Sequence, residues 1–225
     1  MPAKNALKLY SPDTHYHIYN RGVDKRNIFL DDLDFAYFLH ILKKYFAKNI
    51  EIYDEQFGKY RIVENPDSLS AKVSLECYCL MPNHFHLLVY QISNRSIDEL
   101  MRKVTTSYSI YFNKKYNRQG TLFQGRYKAV IIRGENQLIY LSKYIHVNPL
   151  DSLLNNFPKL SLYRWSSYAD YIGLRNTVWL DKERILSLFS TNTYDLSYRS
   201  FIENDKSLTY RLHKDISSQM LLDKD

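Results

Sequence analysis

The stretch KVSLECYCLMPNHFHLLVYQ, residues 72–91, decides the fold. KVSLECYCL and HFHLLVYQ are short, rich in β-branched, aromatic and other apolar residues, and separated only by Met81-Pro82-Asn83. Each reads as a strand, and two strands joined by so tight a connection pair most simply antiparallel. In the second of them His84 and His86 stand two apart, so both imidazoles face one surface of the sheet and Phe85 faces the other.

Working outward, THYHIYN (14–20) reads as a strand closed by Arg21-Gly22. DDLDFAYFLHILKKYFAKN (31–49) places Phe35, Phe38, Leu39 and Leu42 at spacings of three and four, with acids first and lysines last. That is an amphipathic helix whose charges match its dipole. Residues 51–65 read as a strand or irregular hairpin before the turn signal Asn65-Pro66-Asp67-Ser68. Ser96-Ile97-Asp98-Glu99 opens a helix that runs to about Asn117 before Gly120. RYKAVIIR (126–133) is strand-like, and ENQLIYLSKYIHVNP (135–149) is a helix expected to end before Pro149. The order predicts an α+β domain over residues 1–150, with helices on one face of an antiparallel sheet. Short helical patterns around Tyr163–Ile172, Lys182–Phe189 and Tyr198–Ile202, then a polar tail, predict a helical C-terminal extension over 151–225.

The 225 residues carry a formal charge of +7 with 45% hydrophobic residues and 15% aromatic ones, 21 of them Tyr. No apolar run is long enough to span a bilayer, and MPAKNALKLYSPDTHYH lacks the apolar core of a secretory signal, so a soluble cytoplasmic protein is expected. Cys77 and Cys79, two apart on one strand, stand roughly 6.5–7 Å apart at Cα, at or beyond disulfide reach, and two thiols are too few for a zinc site. Between Glu99 and Glu135 lie Arg102, Lys103, Lys114, Lys115, Arg118, Arg126, Lys128 and Arg133 with no acid among them. Interleaved with Tyr108, Tyr111, Phe112, Tyr116, Phe123 and Tyr127, this run has the makings of a nucleic-acid surface, where cations track phosphates and rings stack on unpaired bases.

An H-x-H pair on a strand can hold a divalent cation, or can be two histidines on a solvated face. His15-Tyr16-His17 repeats the pattern, so at least one copy is not expected to ligate a metal. Tyr140, Tyr144 and Asn148 follow at steps of four and share one helix face. If that face packs over His84 and His86, Asn148 offers an oxygen ligand one turn from a tyrosine hydroxyl. Equally, the two tyrosines could be core aromatics and Asn148 a cap before Pro149.

MPNHFHLLV (81–89) followed by KYIHVNP (143–149) resembles the single-tyrosine HUH transposases, particularly the REP-associated tyrosine transposases. HYHIYNRG (15–22), GTLFQGRYKA (120–129) and YRWSSYADY (163–171) are similar to that family's segments in the same order, so the resemblance spans roughly Tyr16 to Gly173. It implies a ferredoxin-like sheet, His84 and His86 as the metal-binding HUH pair, Tyr144 as nucleophile and Asn148 as third ligand, where related insertion-sequence transposases use glutamine. It further implies Mg or Mn as cofactor and single-stranded DNA, with a hairpin or palindromic repeat, as partner. The product would be a 5′-phosphotyrosine and a free 3′-OH, and a nucleoid location is expected while DNA is bound. Monomer and homodimer both occur among such proteins. Two other readings compete: a non-catalytic protein that recognises DNA hairpins, and a metal-dependent phosphoesterase with water as nucleophile.

Overall fold

Residues Thr14–Arg21 form β1, which passes through a short 3-10 turn into α1, Asp32–Phe46. A separate hairpin of β2 (Asn49–Asp54) and β3 (Lys59–Glu64) follows, then β4 (Val73–Met81), β5 (His84–Gln91) and α2 (Ser96–Lys115). The chain continues through β6 (Lys128–Ile132), α3 (Glu135–Leu153), and three short helices, α4 (Tyr168–Tyr171), α5 (Glu183–Leu186) and α6 (Tyr198–Glu203). The structure, a computed structural model, describes residues 10–153, 160–189, 193 and 196–204. The polar tail expected from the sequence lies outside the described residues.

The strands β4, β5, β1 and β6 lie side by side in that order, each pair antiparallel. With α1 between β1 and β4, and α2 between β5 and β6, the chain follows the β-α-β-β-α-β ferredoxin-like course, into which the β2–β3 hairpin is inserted. The expected turn at Pro82-Asn83 joins β4 to β5 and sets His84 opposite Met81.

Each face of the sheet has its own occupant. Phe85 on β5 and Ile18 on β1 look toward α1 and α2, where Phe38 sits 5.2 Å from Phe85 and 5.0 Å from Tyr108 between ring centroids. Tyr108 is wholly buried and its hydroxyl donates to the Ile28 carbonyl at 2.5 Å, which satisfies the polar end of a large apolar side chain. Asp31 caps α1 by accepting from the Asp34 backbone N–H at 3.0 Å. The expectation of helices on one face holds for α1 and α2, whereas α3 lies against the opposite face, the one carrying His84 and His86.

The sequence predicts that α3 stops before Pro149, but it runs on to Leu153 with Pro149 inside it. A proline within a helix forfeits its own N–H, here the donor to the Ile145 carbonyl, and crowds that carbonyl with its ring, costs that tertiary packing can outweigh. Nearly every residue of α3 from Leu141 to Pro149 is buried, and later segments clamp it. His146 contacts the Tyr198 hydroxyl at 2.6 Å through Nδ1 and the Ser167 hydroxyl at 2.7 Å through Nε2. Lys143 donates to the Phe201 carbonyl at 2.6 Å. Burial pushes the His146 pKa down to about 3, so this internal imidazole is neutral.

Gly22 fixes the edge on which the site is built. Its N–H donates to the Asn83 carbonyl at 2.9 Å and its backbone bridges to Phe123, so any Cβ would collide with the Arg26 carbonyl. The ends of β1, the β4–β5 turn and the 120–127 segment therefore converge there.

Candidate active site

His84 and His86 share one face, as the period of two requires, with ring centroids 4.9 Å apart. Because β1 pairs with β5, Tyr19 stands opposite His86 and Arg21 opposite His84. From α3, the buried Tyr144 ring sits edge-on to His86 at 5.3 Å and to His17 at 6.0 Å. One turn later the Asn148 Oδ1 lies 3.1 Å from His84 Nε2. The i, i+4 relation thus brings a phenol and an amide over two imidazoles of the same chain.

The hydrogen bonds fix which nitrogens can do what. His84 Nδ1 lies 2.6 Å from Asn83 Oδ1, while the Asn83 amide nitrogen donates to the Lys25 carbonyl at 3.4 Å. An amide oxygen only accepts, so the single proton of a neutral His84 sits on Nδ1 and its Nε2 carries a lone pair. Burial above all keeps His84 neutral by lowering its pKa; Asn148 opposes this and the Arg21 charge adds to it. Nε2 and Asn148 Oδ1 are then two acceptors facing each other at 3.1 Å. A cation between them resolves the conflict, since ligands about 2.1 Å from an octahedral ion stand about 3 Å apart. Without a cation, rotating the Asn148 amide so that its NH₂ donates serves the same contact. Among the described residues no three His, Cys, Asp or Glu side chains are grouped to hold an ion, so an amide oxygen would have to complete the set. Two imidazoles and an amide oxygen form an open set that could hold a divalent cation with positions left for water or a phosphate oxygen.

The basic run is acid-free along the chain but not in space. Lys115 is held by Asp31 at 2.8 Å and Asp34 at 2.7 Å, Lys103 by Glu99 at 3.2 Å, and Arg126 reaches Asp98 at 3.7 Å. Arg118 donates to Asn113 Oδ1 at 3.0 Å and lies over the Phe112 ring. Among the described residues Arg102, Lys114 and Lys128 have no acidic partner within 4 Å. A groove of about 1010 Å³ runs between α2 and the 120–127 segment, lined among others by Asn20, Arg102, Asn113, Thr121 and Arg126.

Three neighbours of the site escaped the sequence reading. Arg21 puts a cation beside His84, and its Nε donates to Gln124 Oε1. Asn83 orients His84 from the preceding residue. His17, expected to lie off the metal site, is buried with Nε2 2.9 Å from His86 Nδ1, and burial lowers its pKa to about 3. The clue to all three was that HYHIYNRG and MPNHFH pair strand to strand. His15, the other half of the first H-x-H, turns to Glu76 at 3.2 Å.

The ferredoxin-like sheet carries its H-x-H pair beneath a tyrosine-bearing helix, the arrangement that the resemblance implies. Residues 61–148 match the family model described as "Transposase IS200 like". Among solved structures, a REP-associated tyrosine transposase bound to a REP hairpin is similar in fold, with a TM-score of 0.51 and 10% identity over 79% of this chain and 97% of that one. A candidate transposase from Deinococcus radiodurans R1 has a TM-score of 0.36 and 13% identity, covering 60% of this chain and 91% of that one. No curated protein matches the sequence. The family resemblance read from the motifs agrees with this match, which supports a transposase role. No helix among the described residues is long and apolar enough to cross a membrane.

Proposed function

We propose that the protein cleaves and rejoins single-stranded DNA through a covalent link to Tyr144, aided by a divalent cation, Mg or Mn, on His84, His86 and Asn148. The observation that carries this reading is that Tyr144 and Asn148 of α3 stand over the two imidazoles within one chain. A cation held by these three residues would polarise a non-bridging phosphate oxygen and stabilise charge developing on it. In cleavage the Tyr144 oxygen forms a bond to phosphorus, the bond from phosphorus to the 3′-oxygen breaks, and the phenolic proton ends on that oxygen. The result is a 5′-phosphotyrosine and a free 3′-OH, and attack by a 3′-OH reverses the step to join strands. Arg21 beside His84 is suited to hold the phosphate. This reading takes all these groups from one chain.

Residues 1–150 are the catalytic domain in this reading and 151–225 its helical extension, which holds α3 through Lys143 and His146. Hairpin DNA is the partner favoured by the likeness to a hairpin-bound transposase, which would put the protein to work on the nucleoid in the cytoplasm. Incubation with labelled single-stranded DNA and Mn should yield a protein–DNA adduct that survives denaturing gels, and EDTA added beforehand should prevent its formation. Cleavage without an adduct would instead indicate water as nucleophile, and binding without cleavage a hairpin-recognition protein.

Arg102, Lys103, Lys114, Arg118, Arg126 and Lys128 form the DNA path in this proposal, with Arg102, Lys114 and Lys128, which meet no acid among the described residues within 4 Å, making the main phosphate contacts. Replacing Arg102, Lys114 and Lys128 together by Ala should flatten the plot of log affinity against log salt by about 2, at roughly 0.7 for each single-strand phosphate contact. An unaltered slope would move the DNA to another face.

A further inference from the structure

The motif His15-Tyr16-His17 is used by neither the ligand set nor the nucleophile, yet half of it is sealed into the site. On β1, Tyr19 is the partner of His86 and His17 the partner of Leu88, so His17 is the diagonal neighbour of His86 on the same face. Their rings lie nearly parallel, 23° apart in plane, with centroids separated by 5.0 Å, and His17 Nε2 is 2.9 Å from His86 Nδ1. Both side chains are almost fully buried, 2% and 3% exposed. A contact this short between two nitrogens needs one proton, and there are two ways to place it. If His17 donates, the Nδ1 lone pair of His86 is consumed and its remaining proton blocks Nε2. If His86 donates, its Nε2 carries the lone pair.

The neighbouring imidazole shows which arrangement the site is built for. His84 is held through Nδ1 by an oxygen that can only accept, Asn83 Oδ1, which leaves Nε2 as its donor atom toward Asn148. His86 is likewise gripped through Nδ1, with His17 in the place of the amide oxygen. We propose that His17 is a positioning residue: it accepts from His86 Nδ1–H, fixing the tautomer in which Nε2 of His86 can bind a cation alongside Nε2 of His84. This deepens the proposed function, because its consequence for metal affinity rests on His86 being a ligand. The tautomer itself can be read without any metal. It also gives a reason for a second histidine pair in the sequence, one half engaged with Glu76 and the other supporting the metal ligand.

The test uses the full chain labelled with ¹⁵N-histidine. In the metal-free, unaltered protein, long-range ¹H–¹⁵N correlation should show His86 protonated on Nδ1. His17→Phe keeps a ring of similar bulk but removes the acceptor; it should mix the His86 tautomers and weaken Mn binding by ten- to a hundredfold, the usual cost of losing the partner that orients a ligating histidine. His17→Gln restores an acceptor and should return Mn affinity close to that of the unaltered protein. A wild-type His86 protonated on Nε2 overturns the proposal, as does His17→Phe binding Mn as tightly as wild type. If the unaltered protein binds no Mn while His86 is protonated on Nδ1, the positioning role stands and the metal reading fails. Should His17→Phe not fold, the wild-type spectrum and the His17→Gln titration still decide the matter.

Discussion

Tyr144→Phe is expected to abolish the covalent protein–DNA adduct, a loss on the order of 10⁴-fold or more as for removal of other catalytic nucleophiles, while fold and DNA affinity persist. The substitution deletes one oxygen and keeps the ring that packs edge-on against His86 and His17. Loss of a hydrogen bond by the hydroxyl costs about 1 kcal/mol, too little to unfold a domain. With 21 tyrosines the choice needs a control, and Tyr140→Phe supplies it. Tyr140 lies one turn earlier on α3, with its ring 5.7 Å from Phe201, so its variant should form adduct at the wild-type rate. Denaturing gels of both variants with labelled single-stranded DNA and Mn make the comparison. An adduct that persists in Tyr144→Phe and vanishes in Tyr140→Phe would transfer the nucleophile to the earlier turn.

The parts of this molecule that could be read from its sequence are those governed by local rules. Periods of two placed β4 and β5, and with them His84 and His86 on one face; spacings of three and four placed α1 and α2. The step of four from Tyr144 to Asn148 placed both on one face of α3, and only the fold brings that face over the histidines. What could not be read depends on neighbours distant along the chain. Pro149 carries a rule for ending helices, but α3 is clamped by Ser167, Tyr198 and Phe201, whose contacts outweigh the missing N–H and the crowding by the proline ring. His17 looked like a spare histidine until the pairing of β1 with β5 set it beside His86. Charge misled in the same way. The long acid-free run implied a one-signed surface, but Asp31 and Asp34 at the start of α1 fold back onto the end of α2, and Asp98 and Glu99 pair with Arg126 and Lys103.

Lys115 sharpens that last point into a measurement, because the sequence grouped it with the DNA-binding cations and the fold gives it other work. Its ammonium joins α2 to α1 through Asp31 and Asp34, and the Asp34 side chain is wholly buried. Asp34 also accepts from the Leu30 N–H at 2.8 Å, the Tyr116 hydroxyl at 2.8 Å and the Tyr111 hydroxyl at 3.1 Å. Burial pulls the Lys115 pKa down, but the two carboxylates outweigh it and leave the ammonium above the usual lysine value. Lys115→Met preserves the aliphatic stem and removes the charge, so Asp34 keeps its hydrogen bonds but loses its counter-ion inside the protein. Breaking a fully buried pair from one side costs roughly 3–5 kcal/mol; here only Asp34 is buried while Lys115 keeps 24% of its side chain exposed, and three donors remain on Asp34, so the expected cost is lower, about 2 kcal/mol. Urea denaturation should therefore show a much lower midpoint for Lys115→Met with an unchanged m-value, while the salt slope of DNA binding stays as in the unaltered protein. A variant of wild-type stability whose salt slope falls by about 0.7 would instead make Lys115 a phosphate contact, with its carboxylate partners exchanged for DNA on binding.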